Sequence, residues 1–335
     1  MKKKDTINWA ALTATLIIVA GPTAVSSGVN ATKQLGGMAN SYDLQPKINV
    51  VRSTRKTAVA NNDGSLLDRQ GLIQTFDDEF TEFSWYADGV IGGKEGGGTW
   101  RTHFGYAGVQ DRNSRMLPSN GEQQIYVDRA FRGTASAPLG LDPFRVVNGI
   151  LEITADRASE QIRPYIWNYP YISGLMTTRG TFAQQYGIFE IRARIPKGHG
   201  LWSCVWLLPA RGGWPPEIDI LEILGNQPTS LVTTWHSNSS GKHTMGPIAT
   251  TISDASVDFH VYAIDWDESQ IRWYFDGSEV SHAPTPADMH TPMYLLINVA
   301  VGGYWPGNPD SNTQFPAVMA VDWVRVYKRA NSDAK

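Results

Sequence analysis

The chain has 335 residues, 41% of them hydrophobic and 18% charged, with a mean hydropathy of -0.28 and a formal charge of -3. That balance excludes a polytopic membrane protein and a disordered chain, and it supplies enough apolar material for a large core. A lone Cys204 rules out an intramolecular disulfide, and no CxxC pair is present to hold zinc or exchange thiols.

The N-terminus opens with Lys2-Lys3-Lys4, continues through an apolar run from Trp9 to Ala20, and passes Gly21-Pro22 and small residues to reach Val29-Asn30-Ala31. This is the order of a basic n-region, an h-region and a small-residue cleavage site. The apolar run is short against the roughly 20 residues of a bilayer span. Residues 1–31 are therefore expected to be a signal peptide, giving a secreted or periplasmic protein with no membrane span after cleavage; a retained signal anchor is the alternative. Residues 32–75 carry six basic and three acidic residues, with Tyr42 the only aromatic. They are expected to form a flexible tether.

Eleven of the twelve Trp residues fall between Trp85 and Trp323, which places the folded body at 76–329 and leaves 330–335 as a tail. Because the first 75 residues are basic, the body is acidic and a poor partner for nucleic acid. Within it Phe189, Ile191, Ala193 and Ile195 alternate with Glu190, Arg192 and Arg194, the pattern of a half-buried strand. Val261 to Trp266 and Ile271 to Phe275, joined through Asp267-Glu268-Ser269-Gln270, predict a β-hairpin, and Ala320 to Lys328 predicts a closing strand. No long helical period competes, so an antiparallel sandwich or jelly roll is expected.

No Walker loop, GxGxxG, GxSxG or HExxH sequence is present. The chemistry concentrates in Trp214-Pro215-Pro216-Glu217-Ile218-Asp219-Ile220-Leu221-Glu222-Ile223, which sets three carboxylates into an apolar strand. In a regular strand Glu217 and Asp219 share a face while Glu222 points into the core, where an unpaired carboxylate is costly. One β-bulge near Leu221 restores the phase, sending Ile218, Ile220 and Ile223 inward and all three carboxylates outward. Two glutamates so placed can bring their carboxyls to about 5–6 Å, close to the separation in a retaining glycosidase. A structural ion or calcium cluster is the other reading of the spacing.

At these residues the chain resembles glycoside hydrolase family 16, whose bulged signature is Glu-x-Asp-x-x-Glu. The likeness extends through Phe76-Asp77-Asp78-Glu79-Phe80, Tyr186 to Arg192, Gly200-Leu201-Trp202 and Val321 to Tyr327. It implies an all-β, concanavalin-like β-jelly-roll sandwich with a concave glycan-binding cleft. Carried over position by position, Glu217 is the nucleophile, Asp219 its electrostatic helper and Glu222 the acid/base. Within the family the chain looks most like bacterial endo-β-1,3 and 1,3-1,4 glucanases and exopolysaccharide glycanases. One departure is that relatives read Trp-Pro-Ala-Phe-Trp where this chain has Trp202-Ser203-Cys204-Val205-Trp206.

Trp214, Trp202, Trp206 and Trp305 are candidate platforms for sugar faces, since pyranose rings stack on indole. The resemblance adds Glu190 and Arg192 as cleft residues, and His236 stands between a cleft and a structural role. Asn298 reads as a satisfied core amide. The resemblance further implies a structural calcium on Asp322 and the carbonyl of Gly149, with Glu79 as a weaker ligand, while the chemistry needs no cofactor. The expected partner is a β-linked polysaccharide and the expected state a monomer. A non-catalytic binding module on the same fold and a transglycosylase are the alternatives.

Overall fold

The computed structural model describes residues 71–86, 98–106 and 108–330. The expected signal peptide, nearly all of the tether and nearly all of the tail lie outside the described residues. Strand β1 (Leu72–Asp78) already pairs with the last strand, Leu72 lying opposite Arg329. Leu72 to Thr75, expected in the tether, therefore belong to the folded body. Main-chain pairing holds them there, and such pairing leaves no mark on composition.

The next strands are β2 (Gln124–Tyr126), β3 (Phe144–Val147), β4 (Ile150–Arg157), β5 (Tyr171–Ser173) and β6 (Leu175–Thr177). The middle of the chain supplies β7 (Gly187–Arg194), β8 (Leu201–Pro209), β9 (Glu217–Leu224), β10 (Ser230–Ser237), β11 (Thr244–Met245) and β12 (Ile248–Thr251). Then come β13 (His260–Trp266), β14 (Gln270–Phe275), β15 (Ser278–Pro284), β16 (Met293–Val301) and β17 (Ala317–Arg329). The expected hairpin is β13–β14, and Asp267 closes its turn by accepting from the backbone N–H of Ser269 and Gln270 at 2.7 and 2.9 Å. The expected closing strand is β17.

Ten strands make one sheet in the order β15-β14-β13-β7-β17-β4-β5-β2, with β1 beside β17 and β3 beside β4. Seven make the other, in the order β11-β10-β9-β8-β16-β6, with β12 beside β10. The two layers form an all-β jelly-roll sandwich. Its core lies between them, built from Phe189, Ile191, Tyr262, Ile264, Val324 and Val326 of the large sheet against Val205, Leu207, Ile218, Ile220, Leu221 and Ile223 of the small one. The alternation read in β7 is what sends Phe189 and Ile191 inward. Gly187 starts that strand at φ +105°, where a Cβ would fall 2.1 Å from the carbonyl oxygen of Tyr327. Only glycine permits β7 and β17 to meet so closely there.

The expected bulge is present in β9. Val205 of β8 pairs with Leu221 and the next residue, Trp206, pairs with Asp219, so Ile220 is the extra residue. On the other side Val232 and Thr234 of β10 pair with Glu222 and Asp219, the same shift. From the opposite sheet the Trp273 indole Nε1 donates to the Asp219 carbonyl at 2.8 Å, pinning the bulge from inside the core. Trp266, equally buried, has no hydrogen-bond partner at Nε1.

This contrast predicts that Trp273→Phe costs more than Trp266→Phe although both remove the same volume. Losing a buried donor–acceptor pair costs about 1–2 kcal/mol, or roughly 2–8 °C in a domain of this size. Thermal melts of the two variants check it, and equal losses would deny the Trp273 bond a role in holding the bulge.

Candidate active site

The bulge brings Glu217, Asp219 and Glu222 to the face of the small sheet that looks away from the core. The same face carries Trp202, Cys204, Trp206 and Leu208 of β8, Asn298 of β16, and Thr234 and His236 of β10, by the same alternation that sends their neighbours inward. Glu217 Oε2 accepts a hydrogen bond of 2.6 Å from Trp214 Nε1. Glu222 Oε2 accepts one of 3.1 Å from Thr234 Oγ1. Asp219 has only 4% of its side chain exposed, and its Oδ2 makes no hydrogen bond; His236 Nε2 lies 3.4 Å from it. His236 Nε2 also lies 3.8 Å from Glu217 Oε1.

Burial governs the protonation of this cluster. It pushes Glu217 up to about 8, with the charge of Asp219 adding to the effect. It pushes Glu222 up to about 7, with Glu217 adding, while His236 opposes the rise in both glutamates. Asp219 rises well above the carboxylate range, first from burial and then from Glu222. Three carboxylates so close cannot all ionise, and the protons belong to the group rather than to single residues. An arrangement that keeps protonated and ionised carboxyls side by side near neutral pH can supply both an acid and a nucleophile.

Around the carboxylates the aromatic residues divide into exposed edges and a buried floor. Trp202 and Trp305 meet edge to face, centroids 5.1 Å apart, and both keep part of their surface open. Trp206 is only 8% exposed, lies edge-on to Phe104, and donates from Nε1 to Asn298 Oδ1 at 2.8 Å. Asn298 in turn donates to the Tyr126 hydroxyl at 2.9 Å, so it is a satisfied buried amide. Trp206 thus forms part of the floor and offers little ring surface as a platform.

Two expected cleft residues lie elsewhere. Glu190 and Arg192 belong to β7 of the large sheet, on its outer face; Glu190 is 2% exposed, and Arg192 hydrogen-bonds Asp322 and lies over the Phe259 ring. Alternation announces a polar face but not which layer bears it, and here it is the layer opposite the carboxylates. Of the candidate calcium ligands, Glu79 is held by Arg325 at 2.8 Å and Asp322 by Arg192, while Gly149 sits in the β3–β4 turn at φ +78°. Among the described residues the grouping whose donor atoms converge as a cation would require is Glu217, Asp219 and His236, within 4.8 Å of one another. The carboxylate chemistry accounts for that convergence, and no metal is assigned to it.

Sequence reasoning passed over Thr234, which shares the strand face of His236 two residues away and was open to the same argument. It also passed over Tyr106, 36% exposed and stacked on Phe104 at 5.4 Å, which feels the charge of Glu217. Nothing local marks Tyr106, because a loop brings it over the sheet.

Residues 140–325 match the family model for glycosyl hydrolases family 16. The chain belongs to this family. It is 42% identical over 261 residues to an endo-1,3-1,4-beta-glycanase, ExsH, of Rhizobium meliloti, an alignment covering 78% of this chain and 53% of that protein. It is 33% identical to a beta-glucanase of Rhodothermus marinus, with 68% and 84% covered. Among solved structures it resembles the catalytic domain of an endo-1,3-beta-glucanase (laminarinase) from Thermotoga petrophila, with a TM-score of 0.60, 31% identity, and 78% and 99% covered. The chain spans about half the length of the Rhizobium relatives it matches.

The raised value at Glu222 gives a stability prediction with a definite sign. A carboxyl whose folded value lies above its unfolded value of about 4.3 stabilises fully below that pH, and the contribution is lost as pH rises through the folded value, about 7. Glu222→Gln is neutral throughout, so its melting temperature should exceed the parent's by a few °C at pH 8, with the gap closing toward pH 4. A gap independent of pH would remove the burial of Glu222 as its cause.

Proposed function

We propose that the chain is an exported, monomeric, retaining endo-β-glycanase that cleaves β-1,3 or mixed β-1,3-1,4 glucan, or a glucose-rich exopolysaccharide, by double displacement. The observation that carries this reading is the bulged strand that sets Glu217 and Glu222 on one face with Asp219 between them and the Trp214 N–H on Glu217. The names of the relatives, endo-1,3-1,4-beta-glycanase and laminarinase among them, support a glucan as substrate. A binding module has no use for paired glutamates set on one face with raised affinities for protons, which speaks against the non-catalytic alternative.

In the first step Glu217 attacks the anomeric carbon as the bond to the leaving oxygen breaks, and Glu222 gives its proton to that oxygen. In the second, Glu222 takes a proton from water while the water oxygen attacks the same carbon and releases Glu217. The state poised for attack has Glu217 ionised beside the Trp214 N–H and His236, with protons on Asp219 and Glu222. Taken singly, Glu217 at about 8 would ionise after Glu222 at about 7, but the charge of Asp219 is the second cause of the rise at Glu217, and a proton on Asp219 removes it. The raised Asp219 holds its proton against Glu217, which keeps a second negative charge away from the attacking oxygen. Trp214, Trp202 and Trp305 present the indole surface against which sugar rings stack.

A structural calcium belongs to the same proposal. Asp322, Glu79 and the Gly149 carbonyl are hard oxygen donors of the kind calcium takes. Strand register supports the grouping, since Val321 pairs with Leu151 two residues beyond Gly149, and Val324 pairs with Asp78 beside Glu79. To bind, the ion has to draw the two carboxylates from Arg192 and Arg325, and no catalytic step runs through it. Chelator should lower the melting temperature, and Asp322→Ala should abolish that response. An unchanged melt in chelator would leave the arginine pairs as the whole interaction.

For the chemistry, Glu217→Ala should lose activity on every glycan and regain part of it with azide, a small external nucleophile. Glu222→Ala should retain activity only on substrates whose leaving group departs without a proton. Proton NMR of an early digest should show the β-anomer first, with α appearing later by mutarotation. An α-first product would mean that the carboxyls are about 6.5–9.5 Å apart with water between, and would overturn double displacement.

A further inference from the structure

The hairpin joining β10 to β11 carries a second imidazole to the edge of the carboxylate cluster. His236 Nδ1 lies 3.0 Å from His243 Nε2, and the two rings are nearly parallel, 9° apart, with centroids separated by 5.2 Å. Trp214 packs against both, 5.7 Å from His236 and 4.7 Å from His243. The other nitrogen of His236 faces Asp219 and Glu217. His243 itself is exposed.

A contact of this kind between imidazoles requires one N–H and one lone pair. If His236 is a cation it donates from both nitrogens, and His243 accepts. If His236 is neutral and His243 donates, the remaining proton of His236 sits on Nε2. In both cases a donor faces the carboxylates; a neutral His236 donating from Nδ1 to His243 makes the same contact but turns a lone pair toward Asp219 and Glu217, an arrangement that acceptor oxygens disfavour.

We propose that His243 is a positioning residue of glycosidic cleavage, whose hydrogen bond to His236 Nδ1 keeps the ring oriented with an Nε2–H directed at Asp219 and Glu217. The inference rests on the reading of Glu217 as nucleophile. The titratable groups facing His236 are Glu217, Asp219 and Glu222 of β9 and His243 of the hairpin. The charge of His236 favours the ionised form of both glutamates. Burial, and then His236, hold His243 below the ordinary imidazole value, so it stays neutral and can accept from a cationic His236 or donate to a neutral one. The two histidines are seven positions apart in sequence, and only the hairpin turns them toward each other.

The test compares His243→Phe, which keeps a ring against Trp214, with His243→Gln, whose amide can still donate or accept. Hydrolysis of a β-glucan is followed over pH, with melting curves as a fold control. His243→Phe should lower kcat about tenfold, the scale of a lost charge-assisted hydrogen bond, with KM within about twofold. It should also move the acid limb of the kcat profile to higher pH, because Glu217 loses support for its anion. His243→Gln should recover most of the rate, and both melts should stay within about 2 °C of the parent, as befits an exposed site. Parental kcat and acid limb in His243→Phe, or equal loss in His243→Gln, would overturn the proposal. Glu217→Ala in the same assay tests the underlying reading separately: if it stays active, both fall, and if it is inactive while His243→Phe behaves as the parent, only the proposal falls.

Discussion

The structure turns on one conflict in a single strand. Ile218, Ile220, Leu221 and Ile223 all need the core, while Glu217, Asp219 and Glu222 need the other face, and a strand of period two cannot satisfy both sets. Inserting Ile220 as an extra residue resolves the conflict, because Ile220 and Leu221 then both enter the core and the phase of Glu222 is reset. The bulge is held from both sides. Trp273 ties the Asp219 carbonyl to the large sheet, while β8 and β10 take up the shifted register. The position of the carboxylates is therefore a property of the packed sandwich and not of a loop, which is how a site comes to hold its geometry rigidly.

The same packing determines the electrostatics. Carboxylates at the floor of an aromatic-lined face lose hydration, and burial is the first cause of the raised values at Glu217, Asp219 and Glu222. Such a cluster is a cost to folding near neutral pH, carried by the core beneath it. The groups at its margin, the donors Trp214 and Thr234 and the His236 ring, do not cancel that cost. They distribute it, giving each carboxyl a different neighbour and hence a different share of the protons.

Much of this was legible in the chain. The sandwich followed from alternation in β7 and β17 and from the β13–β14 hairpin, and the bulge followed from the apolar phase of Ile218, Ile220 and Ile223. Glu190 and Arg192 were misplaced because a polar strand face has no label saying which of two sheets it belongs to. The expected boundary missed Leu72 to Thr75 because the hydrogen bonds that order them belong to a partner strand more than 250 residues away. Tyr106 and His243 reach the site from loops, whose course depends on long-range packing that local pattern does not encode.

The departure at Trp202-Ser203-Cys204-Val205-Trp206 shows how the fold changes the meaning of a motif difference. In sequence, Val205 in place of the family's Phe leaves the depth of the neighbouring subsite open. In the sandwich Val205 points into the core, fully buried with Leu207 and Ile218, so the smaller side chain alters the packing between the sheets and not the face that bears the carboxylates. Cys204, in place of Ala, is the position that looks toward the carboxylates, opposite Glu222 in the register. Burial, and then Glu222, hold its thiol well above the usual range, so it stays neutral and acts as apolar bulk. The floor beside Glu222 therefore carries a sulfur atom where the family's Ala would leave a methyl group, and this face of β8 differs from its relatives at Cys204 and not at Val205.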